Sequence, residues 1–138
     1  ENDMLLEHNI FVENYYGTPR EPVERAVAEG KDIIIEVDVN GAAQIREKLP
    51  EAVSIFIMPP SFHELKRRLK GRGTESEELI EKRLNSALGE IKRASEYDYI
   101  IVNDDITAAA DNILSVILSA SFKTDRQKNI IDEVLSKC

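Results

Sequence analysis

Ile33-Ile34-Ile35-Glu36-Val37-Asp38-Val39-Asn40-Gly41 is the stretch on which the fold of this chain turns. Its isoleucines and valines make a β-branched run, too short for a helix and bounded by Gly30 and Gly41. That predicts a strand buried on both faces, as in a parallel sheet. Yet the run carries two carboxylates, Glu36 and Asp38. Residues two apart in a strand share a face, and two acids on a buried face are costly unless they meet partners or open onto a cleft. In α/β sheets ligands bind beyond the carboxyl ends of the strands, where this pair falls. Alternatively, the acids cap the next helix, although Asn40 is itself a residue suited to that cap.

Downstream of this run, Gly41 to Leu49 reads as a short helix closed by Pro50, and Val53 to Met58 as a second apolar strand ended by Pro59-Pro60. Ser61 caps the next helix, with Glu64 as its capping-box partner. Leu65 and Leu69 of that helix face inward, and Lys66, Arg67, Arg68 and Lys70 outward. Gly71-Arg72-Gly73-Thr74 breaks the pattern. Thr74 with Glu77 forms a second capping box, opening a helix to about Arg93 with the stripe Leu79, Ile80, Leu84, Ala87, Leu88 and Ile91. Tyr99 to Val102 is a third buried strand. A long helix follows from about Ile106 to Phe122, then a terminal one carrying Ile130, Ile131, Val134 and Leu135. Upstream, Leu6, Ile10, Phe11 and Val12 suit a strand, Glu13-Asn14 a turn, and Tyr15-Tyr16 a second strand ended by Gly17 and Pro19. Pro22 to Glu29 is a helix stopped by Gly30. Strands alternating with helices give an α/β fold, a parallel sheet flanked by helices, behind a small antiparallel unit.

The composition narrows the function classes. With 42% hydrophobic and 32% charged residues, the 138-residue chain has the make-up of a folded domain and the length for a core. A net charge of −8 argues against a broad nucleic-acid or acidic-membrane surface. No apolar run approaches the roughly 18–20 residues that span a bilayer, and no signal peptide is visible. The lone cysteine, Cys138, forms no internal disulfide, so a cytoplasmic location is expected.

Against that acidic background, Lys66, Arg67, Arg68, Lys70, Arg72, Lys82 and Arg83 gather around a Gly-Arg-Gly turn. Most such charges are solvated helix faces. Arg72 differs, because Gly71 and Gly73 free its backbone. Arg68 lies one turn before it, and Arg83 on the following helix can approach the same space. Guanidiniums meeting at a mobile turn suit a transferring phosphoryl group, whose charge spreads over several oxygens. At the front, Glu7 lies between apolar residues, either as a simple edge residue or as a reader. A carboxylate accepts two parallel hydrogen bonds, which guanine offers from N1–H and its 2-amino group and adenine does not. A hydroxyl such as Thr18 can donate to guanine O6. Tyr16 is an ordinary rim tyrosine or a donor to a phosphate oxygen.

Six blocks, in order and register, resemble the guanylate kinase family. They are Leu6-Glu7, Asn14-Tyr15-Tyr16-Gly17-Thr18-Pro19, Glu36-Val37-Asp38-Val39-Asn40-Gly41-Ala42, Ile57-Met58-Pro59-Pro60-Ser61, Arg68-Leu69-Lys70-Gly71-Arg72-Gly73-Thr74-Glu75 and Tyr97-Asp98-Tyr99-Ile100-Ile101-Val102-Asn103-Asp104-Asp105. The resemblance covers residues 4–122. It implies a P-loop nucleoside monophosphate kinase that moves the γ-phosphoryl of ATP onto GMP with Mg²⁺. By the same resemblance Glu7 and Thr18 match the guanine readers, and Tyr16 a holder of the GMP phosphate. Glu36 and Asp38 match the acidic pair near the metal waters and nucleotides, with Glu36 a mild departure from the usual Asp. Arg72 and Arg83 match the lid arginines and Arg68 a weaker third, while Asn103 matches a residue near the adenine of ATP. Residues 1–30 then belong to the GMP-binding subdomain and 31–138 to the core, with a lid near 71–89. The partners are GMP and ATP, with no nucleic acid or membrane; a homo-oligomer stays open.

One departure matters. The family opens with a strand, a Gly-x-x-x-x-Gly-Lys-[Ser/Thr] loop and a helix, and no glycine here is followed by that Lys-Ser/Thr. The two arginines that clamp the GMP phosphate are missing as well. Without the loop's N–H cradle and lysine, ATP binding should be severely weakened. The sequence opens on Glu1, so the expectation is a kinase whose N-terminal P-loop portion is absent from this chain, and a polypeptide inactive alone. A second class is the non-catalytic guanylate-kinase-like domain that binds phosphopeptides, which the missing loop fits and Glu7, Thr18 and Arg72 oppose.

Overall fold

Gly30 stops the first helix as its sequence position demands. α1 (Arg20–Ala28) starts directly after Pro19, whose φ of −62° suits a helix entrance. At its end the Gly30 N–H donates to Val27 O at 3.0 Å and the Lys31 N–H to Ala26 O at 2.9 Å. This is a Schellman closure, and it needs the left-handed backbone that Gly30 adopts at φ 79°. The computed structural model describes residues 5–11, 14–71, 73 and 75–138, with the backbone alone for 6–11 and 14–16. It divides into two compact units, Glu1–Ser54 and Ile55–Cys138.

In the first unit, β1 (Leu5–Phe11) and β2 (Asn14–Pro19) form the expected antiparallel hairpin, with Glu7 opposite Thr18 and Asn9 opposite Tyr16. The register slips between Leu5 and Glu7, so Leu6 is a bulge immediately before Glu7. Bulges of this kind bend a strand and re-aim the residue that follows. After Gly30 the chain runs through residues 31–38 without helix or ladder, then enters α2 (Val39–Lys48). Val23 and Ile45 are buried, and Ile35, Val37, Leu49 and Ala52 pack against them. Lys48 Nζ donates to Leu5 O at 2.6 Å, tying α2 to the hairpin.

Two expectations fail here. The run from Ile33 to Val39 is not a strand buried on both faces. β-branched residues fix an extended backbone, but a ladder needs a neighbour, and no described strand pairs with this run. Only one face is covered: Ile35 and Val37 are half-buried, whereas Ile33 and Ile34 are 38% and 74% exposed. Nor is Asn40 the cap of α2. Asp38 fills that role, its Oδ1 accepting from the Gly41 N–H at 2.8 Å. A cap reaches two or three residues forward, and Asn40 already lies inside the first turn.

The second unit is built on β3 (Ile55–Met58) and β4 (Tyr99–Val102), parallel and paired Ile55 to Tyr99 through Met58 to Val102. Between them come α3 (Phe62–Gly71), α4 (Glu77–Lys92) and a 3₁₀ turn at Arg93–Glu96. α5 (Ile106–Ser121) and α6 (Lys128–Ser136) follow. Phe56, Ile80, Leu84, Ala94, Ile101, Ala109 and Ala120 are buried. The Phe56 and Tyr97 rings meet edge to face at 5.2 Å. On α4, Ile80 and Leu84 are buried and Ala87 and Ile91 half-buried, while Leu79 and Leu88 fall on the exposed flank. β4 buries Ile101 alone; Ile100 and Val102 are about half exposed, at 53% and 50%. Its neighbours on either side decide strand burial, and a run of apolar residues cannot report them.

Caps set the helix starts. Ser61 Oγ accepts from the Glu64 N–H at 3.0 Å, as expected. The Glu64 side chain, however, takes Arg67 and Arg68 as partners. α4 is capped by Ser76, which accepts from the Leu79 N–H; Thr74, expected in that role, lies outside the described residues. Asp105 caps α5.

Candidate functional site

The candidate residues fall into two groups, each described within its own unit. In the first, the hairpin register sets Glu7 directly opposite Thr18. Opposed residues in an antiparallel pair are the closest neighbours a sheet offers, so a carboxylate-bearing and a hydroxyl-bearing residue are brought together by backbone pairing alone. Thr18 is half-buried. The Glu7 and Tyr16 side chains lie outside what the structure describes; the Tyr16 backbone stands in β2 opposite Asn9.

Glu36 and Asp38 still share a face, although the buried strand expected to carry them does not form. Exposure alternates along the run: Ile35, Val37 and Val39 are half-buried, Glu36 and Asp38 exposed. Both acids are therefore on one open face of an extended segment. One Asp38 oxygen caps α2, which fixes that carboxylate against the helix N-terminus, where negative charge is favoured. Among the described residues no cluster of three or more His, Cys, Asp or Glu is grouped to hold a metal directly. Two exposed carboxylates on one face suit a hydrated Mg²⁺, which keeps several waters and needs only one or two protein oxygens besides phosphate.

In the second unit the arginines are less alike than their sequence suggests. Arg68, expected on the outward face, turns in. Its Nη1 donates to Asn103 O at 2.7 Å, its Nη2 to Asp104 O at 3.2 Å and its Nε to Glu64 Oε1 at 3.0 Å. The guanidinium thus clasps the end of β4 to α3. The reason is geometric: five donors in one planar fork can meet two carbonyls and a carboxylate at once. Beside it, Ile57, Met58, Pro59, Leu65, Leu69 and Asn103 line a hollow of about 230 Å³. Asn103 itself continues the sheet, its N–H donating to Met58 O at 2.8 Å. Glu64 also accepts from Arg67 Nε and Nη2, at 2.9 and 2.6 Å. Those hydrogen bonds, Arg67's first, hold its carboxyl down at about 2, and Arg67 is correspondingly raised.

Arg83, on α4, pairs through Nη2 with Glu75 Oε1 at 2.8 Å. Arg72 lies outside the described residues. Gly73, beside it, has φ 67°, a left-handed backbone that favours glycine. Sequence reasoning gave no role to Glu75 and a different one to Glu64. A signal existed for Glu64, since arginines three and four residues on share its helix face. For Glu75 there was none, because its partner lies across a helix start.

The chain is similar to known proteins. A family model described as Guanylate kinase matches residues 1–120. The guanylate kinase of Desulfitobacterium hafniense (strain Y51) is 45% identical over 134 residues, 97% of this chain and 67% of that protein. The guanylate kinase of Escherichia coli (strain K12) is 47% identical over 135 residues, 98% of this chain and 65% of that protein. A crystal structure of guanylate kinase from Anaplasma phagocytophilum superimposes with a TM-score of 0.76 at 38% identity, over 91% of this chain and 60% of that one. The chain spans about two thirds of the length of the curated relatives it matches.

Proposed function

This chain belongs to the guanylate kinase family, and from that premise we propose that it supplies the GMP-reading and lid side of an enzyme that transfers the γ-phosphoryl of ATP to GMP, giving ADP and GDP. The observation that carries the proposal is the register pair of Glu7 and Thr18. The Glu7 carboxylate accepts from guanine N1–H and the 2-amino group, and the Thr18 hydroxyl donates to O6. Adenine in the same place leaves the acid without donors, and a buried group left unpaired costs far more than a matched one gains. Tyr16 donates to the GMP phosphate.

Glu36 and Asp38 would hold a hydrated Mg²⁺, which would supply neutralisation of phosphate charge. Their shared open face fits that task. Arg72 and Arg83, on a lid near 71–89 hinged at Gly71 and Gly73, bring positive charge to the transferring group, whose reaction needs positioning and charge stabilisation more than covalent help. Asn103 borders the ATP side. Arg68, held by two carbonyls, contributes chiefly by shaping that border. In this reading residues 1–30 are the rear of the GMP subdomain and 31–138 the core, and the setting is cytoplasmic.

Calorimetric titration tests the proposal. The chain is expected to bind GMP in preference to AMP, and Glu7→Gln to reduce that preference at least about tenfold. Equal affinity for the two nucleotides overturns it, and phosphopeptide binding without nucleotide preference replaces it with a scaffold role.

A further inference from the structure

Ser76 caps α4, Glu75 stands just before it, and Arg83 sits on the helix's second turn. The Glu75 carboxylate reaches across that start to form an ion pair with Arg83, Oε1 to Nη2 at 2.8 Å. The two ends of this pair are unequal. The Arg83 side chain is 42% exposed and that of Glu75 only 17%. Glu75 Oε2 is buried and, among the described residues, accepts no hydrogen bond.

An incidental surface ion pair has both ends wet and adjustable, and holds little. A carboxylate retained for stability alone has both oxygens matched, because an unmatched buried acceptor is costly. Glu75 fits neither description. It is a part-buried acid paired with a guanidinium whose far side reaches solvent. The pair takes one terminal nitrogen of a five-donor fork, and the remaining donors suffice for an anion. The acid's place beside a helix N-terminus is electrostatically favourable.

We infer that Glu75 is the positioning residue for Arg83, fixing the guanidinium in the orientation in which it meets the transferring phosphoryl group. The inference rests on the role proposed above for Arg83. A long side chain otherwise surrenders its rotamer freedom in the transition state, and prior pairing removes much of that cost. The effect therefore belongs to kcat, while GMP binding is left to the hairpin.

The test uses the chain joined to the N-terminal, phosphate-binding-loop segment of a related guanylate kinase, with ATP, GMP and Mg²⁺. Glu75→Gln keeps the shape and removes the charge. Expected are a fall in kcat of about tenfold, a KM for GMP within about twofold of the parent, and partial recovery in Glu75→Asp. In an Arg83→Ala background the same change should alter kcat less than about twofold, since its target is gone. An unchanged kcat in Glu75→Gln while Arg83→Ala is impaired overturns this inference alone. An equal loss with and without Arg83 also overturns it, marking a general loosening of the lid. An Arg83→Ala enzyme of undiminished kcat removes the role of Arg83, and the inference with it. Nitrogen relaxation of the Arg83 Nε–Hε group in the nucleotide-free protein gives a second reading: Glu75→Gln should lower its order parameter, and no change counts against the pairing.

Discussion

Glu64 joins two arginines at once, and its ionisation is the residue-scale property most open to measurement. Hydrogen bonds from Arg67 first, and then Arg68, lower its carboxyl from an ordinary 4.5 to about 2 in the folded chain. A depressed acid stabilises the fold above its unfolded value and ceases to do so as pH falls through its folded one. Stability should therefore decline between about pH 4.5 and pH 2. In Glu64→Gln that part of the decline should vanish, as read by urea unfolding at stepped pH. Arg68→Ala should destabilise the chain by about 1–3 kcal/mol, because it leaves two carbonyls without a charged donor, and Arg68→Lys should recover less than half in the same assay. The Glu64 pairs had a signal in the sequence, arginines three and four residues on; the clasp had none, since Arg68 was expected outward with Lys66, Arg67 and Lys70. Only the position of the Asn103 and Asp104 carbonyls singles out Arg68.

At the scale of elements, the punctuation was readable and the pairing was not. Gly30, Ser61 and the Pro59-Pro60 stop were all legible, because each acts over a few residues of its own chain; the turn expected at Glu13-Asn14 falls partly outside the described residues. The run Ile33 to Val39 was misread because strand formation is decided by a distant neighbour. The identity of the α2 cap depended on where the helix began, a boundary of two residues. Asp38→Ala should cost about 1 kcal/mol of stability by loss of the bond to the Gly41 N–H. Gly73→Ala should cost a similar amount, about 1 kcal/mol, since its φ of 67° is strained for any Cβ, while the space around it is open and adds no clash. Thermal melting checks both. A Gly73→Ala chain as stable as the parent would show that the turn can relax to an ordinary backbone.

For the whole molecule, sequence blocks carried the family assignment further than periodicity carried the fold. Motif spacing survives where element boundaries blur, so the relation to guanylate kinases was visible before any helix was placed. What the blocks could not say is how each arginine is employed. No stretch of these 138 residues supplies the Gly-x-x-x-x-Gly-Lys-[Ser/Thr] cradle. The isolated chain should accordingly form no ADP from ATP and GMP above the uncatalysed rate in a coupled assay, even where it binds GMP. Turnover by the isolated chain would mean that another group of donors grips the triphosphate.

The clasp made by Arg68 falls on main-chain oxygens. Every amino acid carries that oxygen, so the grip is blind to the identities of positions 103 and 104. Those two places are left at liberty to drift, or to be re-engineered toward another nucleobase, while the loop that bears them keeps its shape. A single arginine thereby underwrites a variable rim.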